Sequence, residues 1–332
     1  MRCAVITKPL CVEITEAPKP EIEEGQILIK SHTVSICGSD MPYFLNERAL
    51  QYPLPLGFPG HECIGTIVET RNKALKEGDY VLSIPNGDRG FAEYFVSHPS
   101  RTVSIPYLNN KFVIAQPLGT VIHACRKLFQ SILPDAEKDK YSLERDKWNL
   151  TEKKVVIVGQ GSIGLLFTAM MKLMNAETII GIDLVNYRLD ASQKIGATHI
   201  INCLESNISD MLYKITDGLM ADLAIEAVGK DSTINDCFRL VKRSGVVLAF
   251  GVPRKSVYEF DFPDFFNREI KLIGSLGPDI QTEFPIAVEL IANDKVDSSI
   301  LISHILSIDD IQKAFEFVTE HKDNAIKILM NM

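Results

Sequence analysis

The 332-residue sequence predicts an α/β protein in which a doubly wound, six-stranded parallel sheet is inserted into a β-rich domain. Three observations predict it. Near the middle, an apolar strand (Val155–Val158) runs into the glycine turn Gly159-Gln-Gly161-Ser-Ile-Gly164, which opens a helix reaching Met174. From there to about Gly274, strand-type runs alternate with helical patterns. The first 117 residues instead carry short β-type runs broken by proline and glycine, and a last apolar run, Ile326–Leu329, brings the tail back as a closing strand.

In chain order, strands are expected at Cys3–Ile6, Ile27–Ile29, Ile64–Val68, Tyr80–Ile84 and Phe91–Val96, forming a small irregular barrel or sandwich. A helix over Ile122–Ser131 follows. The charged segment Leu133–Trp148 breaks the rhythm and reads as a solvated surface insertion. Sheet strands are then expected near Val155, Ile179, His199, Leu223, Val246 and Ile270, with helices over Ser162–Met174, Tyr187–Ile195, Ile208–Thr216 and Thr233–Lys242. Beyond Gly274 come a helix (Phe284–Ala292), an extended segment (Ile300–Ile305) and a helix (Ile308–Glu320).

Composition sets broad limits. Apolar residues make up 46% and charged residues 23%, which suits a globular enzyme, and the length suits two domains. A net charge of −8 without a basic tract disfavours nucleic acid and anionic membrane as partners. Seven cysteines stand singly, which points to a reducing compartment. The first residues read as a strand rather than a signal peptide, so the expected location is the cytoplasm.

The glycine turn fits a dinucleotide pyrophosphate. Gly159 allows the tight turn, Gly161 lets backbone approach phosphate, Gly164 lets helix pack on strand, and the helix start at Ser162 and Ile163 supplies N–H donors. Asp183 ends the next strand about twenty residues on, where a carboxylate accepts from both ribose hydroxyls and repels a 2′-phosphate. That selects NAD over NADP. A nucleotide-free sheet or a methyltransferase remains the alternative to this reading.

A second constellation, Cys37-Gly-Ser39-Asp40 and Gly60-His61-Glu62, stands in the β-rich part. Isolated Cys and His there are more often packing residues. Taken together, thiolate, imidazole and carboxylate are zinc's usual ligands, and three of them leave a fourth position open.

With Pro59–Glu62, Glu77–Val81, Phe91–Tyr94, Glu226-Ala-Val228-Gly229 and Ala325–Leu329, these motifs resemble the zinc-dependent medium-chain dehydrogenase/reductase superfamily, in its sorbitol/polyol and threonine dehydrogenase branch. The resemblance implies a Rossmann NAD-binding domain (118–276) inserted into a GroES-like catalytic domain (1–117 and 277–332). It implies one catalytic zinc on Cys37, His61 and Glu62, with Gln116 hydrogen-bonding behind it, and no structural zinc. It assigns Ser39 to the substrate's proton, pairs Asp40 with Lys327 near the cofactor phosphates, and adds Arg188, Val228, Val252 and Leu276 to the cofactor contacts. A homodimer or homotetramer is implied as well. Two departures stand out: Gln116 replaces a common Glu or Cys ligand, and Met41-Pro42 stand where a relay histidine is usual.

The activity so implied is reversible, NAD-linked oxidation of a secondary alcohol (a polyol, sugar, cyclitol or hydroxy amino acid) to its ketone, in a dry cleft between the domains. Tyr43, Phe44, Phe91 and Leu276–Asp279 are expected to line the substrate pocket. The alternatives are a zinc-free enone or quinone reductase of the same superfamily and a non-catalytic NAD(H)-binding protein.

Overall fold

Strand Lys154–Val158 is buried at every position after the first, so it needs cover on both faces and belongs at the centre of a sheet. In the computed structural model, which describes residues 1–48, 50–132, 148–320 and 324–332, it sits third in a six-stranded parallel sheet. The strand order is His199–Asn202, Thr178–Asp183, Lys154–Val158, Ala221–Glu226, Val241–Ala249 and Lys271–Gly274. This is the doubly wound order, with the switch point between the glycine-turn strand and Ala221–Glu226. Thr178–Asp183 is likewise buried throughout.

The helices fall where the apolar spacing places them. Asn186–Ile195 ends at Gly196, and Ile208–Ile215 is capped by Asn207, whose side chain accepts from the Asp210 N–H. Asp231–Leu240 stops two residues short of the expected Lys242 because Val241, wholly buried, is taken into the sheet opposite Ala221.

The chain divides into two compact units, Thr120–Gly277 and the discontinuous Met1–Gly119 with Pro278–Met332. The discontinuous unit holds a seven-stranded sheet. Its path runs Ile302–Ser307, Lys327–Asn331, Ile27–Ser35, Glu62–Thr70, Tyr80–Ser83 and Thr102–Ser104, while Tyr94–Ser97 pairs off it with Ile27–Ser35. The first pair is parallel and the others antiparallel. Arg2–Lys8 and Cys11–Glu16 form a separate ribbon. The core between them includes Ile27, Ile29, Phe44, Phe91, Phe95 and Phe315.

Several boundaries differ from the sequence reading. The strand expected from Phe91 begins at Tyr94, since Phe91 is a core side chain between ribbon and sheet. The helix expected from Ile122 begins at Ala115, because Pro117 in its first turn has no N–H to lose. Helix Ile280–Ala292 begins before Phe284, capped by Asp279 on the Gln281 N–H. Of the charged segment, 133–147 lie outside the described residues, and Trp148 is not solvated: it is 5% exposed and packs near Phe129, ring centroids 6.3 Å apart.

Candidate active site

Three neighbouring strands deliver the metal-type residues to one end of the seven-stranded sheet. Ser35 ends one strand opposite Glu62, which begins the next, so Cys37 leaves the sheet where His61 and Glu62 enter it. On the other flank Leu329 pairs with Ser35, and the Ile36 N–H donates to the Ile328 carbonyl. Lys327 therefore arrives at the same end. The ligand atoms of Cys37, His61 and Glu62 lie within 4.8 Å of one another. Cys37 and the adjacent pair His61–Glu62, 24 residues further on, converge through strand pairing.

Asp40 ties the two ligand loops together. One carboxylate oxygen accepts from the Cys37 N–H at 2.9 Å, and the other lies 3.3 Å from His61 Nδ1, which also meets the Pro59 carbonyl at 3.0 Å. Nδ1 is thus occupied by Asp40 and the Pro59 carbonyl, which leaves Nε2 as the nitrogen that would ligate. Nε2 is 3.4 Å from Ser39 Oγ. Burial alone would lower the His61 pKa, but Asp40 and then Cys37 raise it well above the ordinary histidine range. Burial pushes the wholly buried Asp40 up, against the opposing pull of His61.

Glu62 faces two ways. Its Oε2 is gripped by Lys327 Nζ at 2.5 Å and by the Ser35 hydroxyl, while Oε1 is buried without a hydrogen bond. An unsatisfied carboxylate oxygen inside a thiol–imidazole pair is what a cation would complete. The donor set thus fits zinc. Burial would raise Glu62, but Lys327 and His61 hold it below the usual carboxylate range. Lys327 is correspondingly raised by Glu62 despite its burial. The expected Asp40–Lys327 pair is not formed: the Lys327 ammonium, 2% exposed, goes to Glu62 and the Ile36 carbonyl. Strand pairing brings Lys327 to the Oε2 side of the buried Glu62 carboxylate, whereas Asp40 faces Cys37 and His61.

In the other unit the glycine turn is formed as read. Gly159 has φ +92°, and a Cβ at Gly164 would strike the Gly159 carbonyl. At Gly161 a Cβ would meet nothing within 4 Å, and no side chain caps the helix Ser162–Leu173 that starts there. Open space before uncapped N–H groups fits a phosphate. Asp183 is 7% exposed and accepts from the N–H groups of Gln160 (2.7 Å), Leu184 (2.8 Å) and Val185 (3.0 Å), with Arg188 at 4.0 Å. It therefore fixes the glycine turn to the next strand, a second task that spacing alone did not reveal.

Other expected residues fare unevenly. Gln116 is 8% exposed in the first turn of helix Ala115–Ile132, Val228 lies against Gly159, and Val252 and Leu276 are exposed. Phe44 and Phe91 do not line a pocket: each is 1% exposed and packs on Phe315, at 5.0 and 5.8 Å. Tyr43 lies edge-on to Phe58. A groove of about 640 Å³ lined by Asn109–Lys111, Asp294 and Ile302 contains none of the cluster residues. No helix among the described residues is long and apolar enough to cross a membrane.

A phosphate-type turn on a doubly wound sheet and a thiol–imidazole–carboxylate cluster define a class, the metal-using, nucleotide-dependent oxidoreductases. Comparison narrows it. Residues 23–107 match the alcohol dehydrogenase GroES-like domain, and 162–293 match the zinc-binding dehydrogenase domain. Sorbitol dehydrogenase of Bacillus subtilis is 27% identical over 99% of this chain and 97% of its own. L-idonate 5-dehydrogenase of Escherichia coli superimposes with TM-score 0.83 at 22% identity, covering 100% of this chain and 98% of that one. Two further structures share the fold, each covering 100% of this chain and 99% of its own. One is an Escherichia coli alcohol dehydrogenase complexed with NADH (TM-score 0.82, 19% identity), and the other a Sinorhizobium meliloti zinc-binding dehydrogenase bound to NADP (0.84, 20%). The chain belongs to the zinc-type alcohol dehydrogenase family of medium-chain dehydrogenases, and is a dehydrogenase.

Proposed function

We propose that this enzyme interconverts a small polyhydroxylated secondary alcohol and its ketone, with NAD as hydride acceptor and a single zinc on Cys37, His61 and Glu62. The observation that carries the reading is the cluster of three ligand atoms within 4.8 Å, buttressed by Asp40 behind His61 and Lys327 behind Glu62. When bound, zinc supplies a Lewis acid that brings an alcohol's O–H toward neutral pKa.

The chain's own residues do the rest. Ser39 Oγ takes the substrate's proton, and Asp40 holds the His61 ring in one tautomer. Gln116, a neutral amide, hydrogen-bonds at the open position rather than ligating. The turn Gly159–Gly164 receives the pyrophosphate through the N–H groups of Ser162 and Ile163, and Asp183 and Arg188 receive the ribose. Backbone groups at Val228, Val252 and Leu276 would hold and orient the nicotinamide, which when bound would supply the hydride acceptor.

Two assignments accompany this. All seven cysteines are free, which supports the cytoplasm. Strand Lys271–Gly274 ends the parallel sheet, with Leu272 41% and the nearby Leu276 90% exposed, and an open apolar edge favours a second copy of the chain. The deciding experiment is a screen of polyols, sugars and cyclitols for NADH formation, with zinc measured on the same sample. Turnover by zinc-free protein, or reduction of an enone by NADPH alone, would overturn the reading.

A further inference from the structure

Glu226 closes strand Ala221–Glu226 beside the glycine-turn strand, and its side chain is wholly buried. Three donors converge on its Oε1: the Val228 N–H at 2.9 Å, the Gly229 N–H at 2.8 Å and the Thr233 hydroxyl at 2.7 Å. Its main-chain oxygen accepts from the Phe250 and Gly251 N–H groups, both at 3.0 Å. One residue thus holds the turns at the ends of two adjacent strands. Those turns touch, since a Cβ on Gly229 would strike the Val252 carbonyl and one on Gly251 would strike the Gly229 backbone. Tyr258 locks them further: its hydroxyl donates to the Gly229 carbonyl at 2.7 Å and accepts from the Arg254 N–H at 3.0 Å.

We propose that Glu226 is the positioning residue for the nicotinamide half of the cofactor, a role that rests on the NAD reading above. A carboxyl group sealed from water is costly, and strand packing alone would accept an apolar side chain there. What the carboxylate adds is strong acceptance on one oxygen, which suits three donors better than an amide does. Val228 and Val252, the residues assigned to the nicotinamide, are carried by the two turns it fastens. The pyrophosphate and adenosine contacts, at Gly159–Gly164 and Asp183, stand on other hydrogen bonds.

The test compares NADH with ADP-ribose, which lacks the nicotinamide. In full-length Glu226→Gln, NADH affinity should fall about tenfold and KM for NAD should rise alongside, as weakened acceptance loosens both turns. ADP-ribose affinity should stay within about twofold, and KM for the alcohol should not move. Thr233→Val, which removes one donor from outside the strand, should give the same selective loss at about threefold, and it serves if Glu226→Gln does not fold. Equal loss of NADH and ADP-ribose, or wild-type NADH affinity in both variants, would refute the role. Wild-type enzyme binding neither ligand would refute the cofactor reading itself, and the role with it.

Discussion

Lys327 and Glu62 form a 2.5 Å ion pair with both side chains 2% exposed or less, reaching across the strand Ile27–Ser35 that lies between their own. The pair uses only one oxygen of Glu62. The other is buried without a hydrogen bond, so in the proposed site one carboxylate would support a lysine and a metal at once.

Replacing Lys327 therefore has an effect that zinc should modify. Lys327→Met leaves a buried carboxylate uncompensated, which costs about 3–5 kcal/mol in the metal-free protein. Zinc restores positive charge at the same carboxylate, so the loss should shrink when thermal unfolding is repeated with zinc in place of chelator. An identical loss under both conditions would mean that Glu62 does not face the ion.

The histidine gives a pH signature. In the metal-free protein His61 has a raised pKa, so its contact with Asp40 adds stability that is fully present below the ordinary value of about 6.5 and is lost as pH climbs through the raised value. With zinc the sign reverses, because the ion competes with that proton and acid expels the metal. Zinc uptake at neutral pH should accordingly release a proton from His61. Titration calorimetry in buffers of differing ionisation heat should show less release in Asp40→Asn, where the imidazolium loses its partner. Unchanged release would separate Asp40 from the metal site.

Loss of the thiolate should divide the two halves of the reaction. Cys37→Ser should retain NADH binding, since the glycine turn and Asp183, proposed to hold the nucleotide, lie in the unit Thr120–Gly277. Its turnover should fall by more than about a hundredfold, the upper end of what losing an outer support costs. Full activity in zinc-depleted Cys37→Ser would exclude a zinc mechanism.

What could be read from the sequence follows the range of the forces involved. The glycine turn, the strands around it and Asp183 are encoded within about thirty residues, and periodicity and spacing report such local order well. Cys37, His61 and Glu62 were identifiable by type, but their meeting depends on the register Ser35–Glu62, which no local pattern carries. The partner of Lys327 was misread for the same reason: 265 residues separate it from Glu62, and pairing with Ser35's strand decides which acid it reaches. Phe44 and Phe91 were assigned to a pocket because aromatic residues near a site look alike whether they face a ligand or, as here, Phe315. The roles of Glu226 and of the Asp183 backbone bonds leave no trace in the sequence because side-chain-to-backbone hydrogen bonds, even between near neighbours, impose no periodic pattern.

Cofactor choice is the remaining prediction, and Asp183 makes it two-sided. On the NAD reading its carboxylate would repel a 2′-phosphate, but it also accepts three backbone N–H groups that shape the glycine turn. Asp183→Asn removes the repulsion and turns an amide N–H₂ toward at least one of those donors, a loss of about 1–3 kcal/mol in stability for each group left unsatisfied. Melting temperature should therefore drop together with affinity for NAD. Because the charge is gone, NADP should suffer less, and the ratio of kcat/KM for NAD to that for NADP should fall at least about tenfold, the factor given by 1.4 kcal/mol of lost discrimination. Arg188→Ala in the same background separates the terms: with Arg188 gone the 2′-phosphate loses a nearby cation, and the ratio should recover toward NAD. If Asp183→Asn lowers stability but leaves the ratio untouched, Asp183 is only a brace for the turn, and selectivity for NAD has to be sought elsewhere along the ribose.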